Sequence, residues 1–199
     1  MDKTTELKKL HEIWLSKNTC ALKTTAIQGV LGDGSAHAEI VFIGEAPGAQ
    51  EDKHGKPFIG AAGKFLNEML ESIHMDREDI YITNLVKYRP PENRDPTKEE
   101  IEVCHAWLLD EIRLINPLLI VTLGRHAMNY FFPEKKITDA HGEIFSTQVF
   151  DKPHFILPLY HPAAALYNGS LREVLKSDFK HIPTILKHLE DQSQCEPII

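Results

Sequence analysis

The stretch Glu39–Gly60 reads EIVFIGEAPGAQEDKHGKPFIG. Its first five residues, Glu39–Ile43, form an apolar run too short for a helix and bounded by glycine, which marks a short buried strand. From Gly44 onward the character changes at once. Glycines, two prolines and three carboxylates (Glu45, Glu51, Asp52) crowd into Gly44–Gly60. A chain that leaves a buried strand for so many turn formers and charges is either turning plainly or building a place where something binds. Glycine permits close backbone approach, so the N–H groups of Gly44–Gly48 can hold a phosphate or a polar ring. The stretch lacks GxxxxGK[ST] and is therefore not a Walker loop.

Outward from this strand, helices and strands alternate. Residues 4–16 carry Leu7, Leu10, Ile13 and Trp14 at helical spacing, and Cys20–Gly34 reads as loop. Residues 61–73 put Phe65, Leu66, Met69, Leu70 and Ile73 on one helical face. Asp79–Leu85 is rich in β formers and predicts a second strand. The prolines of YRPPENRDP exclude helix and central strand. Thr97-Lys-Glu-Glu is a capping-box pattern opening a helix to about Asn116. Leu118–Leu123 is a third strand, followed by a helix to about Phe132. Residues 144–150 fit an edge strand, Phe155–Leu159 a further strand, and 171–189 a last helix. The tail from about 190 to 199 is expected to fray. Such alternation predicts one α/β domain over 1–199, a three-layer α/β/α sandwich around a mostly parallel sheet of four or five strands. In that fold ligands bind beyond the carboxyl ends of the strands. Gly44–Gly60, Asn84–Arg94 and His161–Leu166 each follow a strand, so all three are expected at one rim.

Composition sets the broad class. The chain has 199 residues, 42% hydrophobic and 26% charged, which suits an ordinary globular core. No apolar run approaches the roughly 20 residues of a membrane span, and the N-terminus shows no apolar signal core, so a cytoplasmic, membrane-free monomer is expected. Three cysteines, Cys20, Cys104 and Cys195, are too scattered for a disulfide framework. A net charge of −7 argues against nonspecific coating of DNA, but it leaves room for a local basic patch. Lys64, Lys87, Arg89 and Arg94 lie near the suspect stretches and are the candidates.

Each candidate side chain has a functional and a plain reading. Asn84 ends the second strand. Its amide offers a donor and an acceptor to a ring edge, or forms a turn. His161, fixed by Pro162, donates to a developing anion, or caps a helix. Phe58, between Pro57 and Gly60, stacks on a base, or plugs the core beneath its loop.

Together, GEAPGAQEDKHGKPFIGAAGKFL, YITNLVKYRPPENRDPTKEE, LLIVTLGRHA and YHPAAAL resemble the uracil-DNA glycosylases, most closely family 4 of bacteria and archaea. The likeness covers about residues 14–190 with the motifs in order. It implies an enzyme that flips uracil out of DNA and hydrolyses the N-glycosidic bond. Carried over, Phe58 stacks on the flipped base and Asn84 bonds its Watson–Crick edge. The backbone at Ala46 and Gly48 lines the pocket, and the bulk of Glu51 excludes the thymine methyl. His161 stabilises charge on uracil O2, and Glu45 acts on the water or the cationic sugar. Family 1 enzymes carry an aspartate at the position of Ala46.

Two departures stand out. Family 4 enzymes usually hold a [4Fe–4S] cluster on four cysteines, and the matching positions here are Lys17, Cys20, Tyr88 and Cys104. Two thiolates do not supply four ligands, so a cluster-free variant with no metal is expected. A zinc site combining the two cysteines with His11 and His105 fits no common spacing. Ala165 stands where a DNA-wedging leucine is expected, which passes that role to Leu166. Competing functions are excision of hypoxanthine or xanthine, and a non-catalytic module that captures a damaged base.

Overall fold

A computed structural model describes residues 2–149 and 152–195 of the chain. The elements in order are α1 (Lys3–Lys17), β1 (Asp33–Gly34), β2 (Ile40–Gly44), α2 (Ala49–His54), α3 (Ala61–Ser72), β3 (Tyr81–Asn84), α4 (Lys98–Ile115), β4 (Leu119–Leu123), α5 (Arg125–Phe131), α6 (Ile137–Ala140), β5 (Phe145–Val149), β6 (Lys152–Leu159), α7 (Pro162–Tyr167), α8 (Gly169–Phe179) and α9 (Ile182–Cys195). No described helix is long and apolar enough to cross a membrane.

The strands form one sheet in the order β1-β3-β2-β4-β6-β5. β3, β2, β4 and β6 run parallel, and the two outer strands pair antiparallel. Every residue of β2, β3 and β4 is buried, as expected of parallel strands covered on both faces. Strand alternation divides them. Ile40 and Phe42 face a core built with Phe65, Leu66, Met69 and Leu70 of α3, Phe179 of α8 and Leu186 of α9. Val41 and Ile43 face Leu7 of α1 and Leu108, Ile112 and Ile115 of α4. These are the three expected layers. Each fully buried aromatic such as Phe42 contributes about 1.5–3 kcal/mol.

The sheet has six strands rather than four or five. The two-residue β1, hidden in the stretch read as loop, is too short to leave a periodic signal. The helix expected over 171–189 is two helices. Pro183, in the first turn of α9, has no N–H for the carbonyl of Phe179, so the chain turns at Lys180–His181 and restarts. The tail expected to fray from about 190 continues α9 through Cys195, and 196–199 lie outside the described residues. Phe150, the last residue of the expected edge strand, also lies outside them.

Candidate active site

Parallel pairing brings the carboxyl ends of β2, β3, β4 and β6 to one rim. Gly44 stands opposite Asn84, and Leu123 opposite Leu159. The pairing continues past the strands. Leu85 N–H donates to Gly44 O (2.9 Å), Val86 N–H to Glu45 O (3.2 Å) and Gly124 N–H to Leu159 O (2.8 Å). A cavity of about 400 Å³ opens at this rim. Glu45, Ala46, Gly48, Glu51, Phe58, Asn84, Arg94 and His161, all expected from sequence, line it. Pro90, Asn93, Asp95 and Ala163, with Pro47 and Ala62, complete the wall, none of them singled out individually by the sequence. The proline run that excluded helix and strand was the available signal for the first three, since it forces an irregular loop over the rim.

The cavity floor is a tight arrangement of Gly44, Phe58 and Asn84. A Cβ on Gly44 would stand 2.4 Å from Asn84 Oδ1 and 2.6 Å from Phe58 Cζ, so only glycine lets the two meet there. Phe58 has φ 50°, a left-handed conformation that bulky residues rarely adopt. Arg77 Nη2 donates to Pro57 O at 2.6 Å and helps hold it there. The position of Phe58 is compatible with both of its readings. It is 6% exposed and part of the core, and its ring also faces the cavity. Asn84 is 2% exposed, and its Oδ1 has no hydrogen-bond partner among the described residues. An unpaired buried carbonyl costs about 1–3 kcal/mol, which a ligand N–H would offset.

Glu51 Oε1 accepts from Ile59 N–H (3.0 Å) and Gly60 N–H (2.8 Å). The carboxylate is thereby fixed at the cavity wall and in turn fixes the loop carrying Phe58. His161 is the N-cap of α7, its Nδ1 accepting from Ala163 N–H at 3.1 Å. The capping reading and the donor reading are therefore compatible. Burial lowers the imidazole pKa to about 4, against the opposing pull of Glu51. The ring is thus neutral near pH 7, and with Nδ1 accepting, Nε2 carries the proton and is the free donor. The ring lies 5.7 Å from that of Phe58, interplanar angle 29°. Gly124, at φ 92°, admits the close approach of His161 Cβ.

Glu45 is half-buried and lines the same cavity. Burial raises its carboxyl pKa, with His126 pulling it down and Asp95 pushing it up. His126 Nε2 lies 3.1 Å from Asp95 Oδ2 and 3.9 Å from Glu45 Oε2, and Arg125 Nη2 is 3.1 Å from Asp95 Oδ2. Arg125 pairs with Asp95, and His126 stands between Asp95 and Glu45 with Arg125 Nε 3.0 Å from its Nε2.

Of the expected DNA contacts, Lys64 is exposed on the first turn of α3. Arg94 stands at the cavity mouth, where Glu100 grips it at 2.8 and 2.6 Å. Glu100 is also the N3 residue of the Thr97 capping box, so the start of α4 positions this arginine. Arg89 Nε donates to Asn93 Oδ1 at 2.7 Å. Lys87 does not belong to a basic surface patch. It is 1% exposed, and its Nζ donates to Glu111 Oε2 (2.6 Å), to Asn84 O (3.0 Å) and to Thr83 Oγ1. It follows a buried strand inward and neutralises a buried carboxylate. Leu166 is half-buried against the core, and the neighbouring Tyr167 is 93% exposed.

The four cluster-matching positions do not form a ligand set for a [4Fe–4S] cluster. Lys17 is exposed. Tyr88 is buried, its ring 5.2 Å from Trp14, with Asn18 Nδ2 at 3.4 Å from its hydroxyl. Cys20 and Cys104 touch: a hydrogen bond from Cys104 lowers the Cys20 thiol to about 7 and raises Cys104. His11 is engaged by Tyr81 and Glu111, and His105 by Tyr130, so neither joins the cysteines.

The sequence model described as uracil DNA glycosylase superfamily matches residues 31–190. A type-4 uracil-DNA glycosylase of Archaeoglobus fulgidus is 47% identical over 173 residues, 84% of this chain and 87% of that protein. The type-4 uracil-DNA glycosylase of Sulfurisphaera tokodaii is 45% identical over 182 residues, 88% and 83% of the two chains. That of Thermotoga maritima is 41% identical over 172 residues, 84% and 88%.

Proposed function

Because the chain belongs to the uracil-DNA glycosylase superfamily, we propose that the rim cavity accepts a uracil flipped out of DNA and that the enzyme hydrolyses its N-glycosidic bond, leaving an abasic site. The observation that carries this reading is the buried Asn84 carboxamide with an unsatisfied Oδ1 beside Phe58. Uracil presents an N–H between two carbonyls. That N–H satisfies Asn84 Oδ1, whereas cytosine offers a bare ring nitrogen there and leaves the buried acceptor unpaired. Phe58 provides the stacking face.

The chemistry follows from the charges. As the C1′–N1 bond breaks, its electron pair passes to the uracil ring and O2, and the sugar becomes cationic. The neutral His161 donates Nε2–H to the developing anion, a role that depends on a donor already aimed before charge appears. Glu45, as a carboxylate, stabilises the sugar cation or takes the proton of the water whose oxygen bonds to C1′. Glu51, fixed by two backbone N–H groups, stands as the steric screen against a 5-methyl group. Exposed Lys64 and the rim arginines Arg89 and Arg94 meet the DNA backbone, and Leu166 with Tyr167 face the vacated stack. The protein acts as a cytoplasmic, single-domain monomer without an iron–sulfur cluster, since two thiols, a phenol and an exposed ammonium are not a cluster ligand set. Freshly purified protein is expected to be colourless and iron-free. Stoichiometric iron by elemental analysis would contradict this.

Oligonucleotides carrying uracil, hypoxanthine or no lesion, single- and double-stranded, test the function. Release of free uracil is expected, with cytosine and thymine retained. Release of hypoxanthine alone would move the substrate to another deaminated base, and tight binding with no release would make the protein a capture module.

A further inference from the structure

The carboxylate of Glu45 sits in a cavity wall with little to hold its charge. No hydrogen-bond donor reaches it among the described residues, and its ion-pair contact is His126 Nε2 at 3.9 Å. Its polar oxygen lies within 4.8 Å of an Asp95 oxygen, so two like charges share the rim. Left alone, such a pair resists joint ionisation. Between them stands one imidazole. Gly124 turns the chain at the end of β4 and starts α5, which brings Arg125 and His126 to the same spot. Asp95 Oδ2 receives both cations at 3.1 Å. When His126 is protonated, Nε2–H serves Asp95. When it is neutral, the same atom accepts from Arg125 Nε at 3.0 Å. In both states positive charge remains at the Asp95 edge facing Glu45.

Resting on the glycosylase reading, we infer that His126 is a positioning residue for the reaction: it bridges Asp95 and Glu45 and keeps the Glu45 carboxyl ionised for its part at the sugar. The other charged groups around Glu45 are already committed. Glu51 is tied to Ile59 and Gly60, Arg94 is held by Glu100, and His161 is neutral. Arg125 leans on Asp95. Removal of His126 takes away the side chain that stands within ion-pair range of Glu45 and leaves Arg125 on Asp95 alone, while burial continues to favour the protonated form of Glu45.

The test is the pH dependence of single-turnover uracil release for the wild type, His126→Ala, His126→Gln and Asp95→Asn, with Glu45→Gln as reference. At the acid end Glu45, its carboxyl pKa raised by burial, begins to protonate. His126→Ala is expected to move the acid limb to higher pH, with a loss of about three- to tenfold at that end that is regained as pH rises. KM for the oligonucleotide should change little. His126→Gln, which keeps a polar side chain without charge, should do the same, and Asp95→Asn should move the limb the opposite way. If Glu45→Gln abolishes release while the limb stays put in the His126 and Asp95 variants, the inference is overturned and the glycosylase reading stands. A loss equal at every pH would show a merely structural histidine and also overturn it. A wild-type protein that releases no uracil would remove both.

Discussion

Lys87 and Asn84 are three residues apart and do opposite work. Asn84 lines the cavity and carries a buried, unpaired amide oxygen, and Lys87 holds the Asn84 backbone carbonyl and the buried Glu111. Burial pushes the Glu111 carboxyl up, but the Lys87 charge and the bond from His11 outweigh it and hold the group at about 2. Lys87→Met should therefore destabilise the fold by about 3–5 kcal/mol, because it strands a buried carboxylate. Denaturant unfolding would show this, and an unchanged midpoint would mean that the pair is not formed. His161→Ala should lower the rate of uracil release by about 10²–10³ and affect DNA binding far less. Equal losses in affinity and rate would make the histidine structural. From sequence, Lys87 reads as another base near the motifs, because nothing local distinguishes a lysine that turns in from one that turns out. Only its partner on α4, distant in the chain, decides.

At the scale of elements, the strand ends are the decisive features. β2 stops at Gly44 because a side chain there would strike both Asn84 and Phe58. Gly44→Ala is expected to leave the fold and its melting cooperativity intact and to cut uracil release sharply. Full activity would show that the Gly44–Asn84–Phe58 contact is not needed. The central strands were legible from sequence because both faces are buried and each is a near-continuous apolar run. The start of α4 was legible from its capping box, which forms with Thr97 N–H to Glu100 at 2.8 Å. Short elements were not. α2, inside the glycine- and charge-rich stretch, is six residues, too short for a periodic signal, and its Glu51 accepts from the N–H groups of Ile59 and Gly60 in the loop that follows. The Glu45 side of the site was half legible. Glu45 itself follows from its motif, but Asp95 and His126 come from a loop and a helix start that only the fold brings together.

Among the described residues, His161 and Glu111 are the His and carboxyl groups whose protons folding holds off most strongly, with His154 and Glu100 moved the same way, and they dominate the response to acid. His161 falls from 6.5 unfolded to about 4 folded, and Glu111 from 4.5 to about 2. In both, the folded state binds fewer protons, so each contribution is full above the unfolded value and is lost as pH falls towards the folded one. Stability should drop first between about 6.5 and 4 and again between about 4.5 and 2. Glu45, raised by burial, opposes the upper step in part. Melting temperatures across this range would show both steps, and His161→Gln should reduce the upper one, to which His154 also contributes. The same assembly of rim, core and buried network has one purpose in this account: to hold a rigid amide that accepts a uracil N–H and refuses cytosine. The most direct measurement is single-turnover release of uracil and of cytosine by the wild type and by Asn84→Asp. An ionised aspartate offers acceptors only. The wild type should release uracil alone, and Asn84→Asp should release it more slowly by at least the equivalent of about 1–3 kcal/mol while the discrimination against cytosine narrows. Full uracil release by Asn84→Asp with unchanged selectivity would contradict the account.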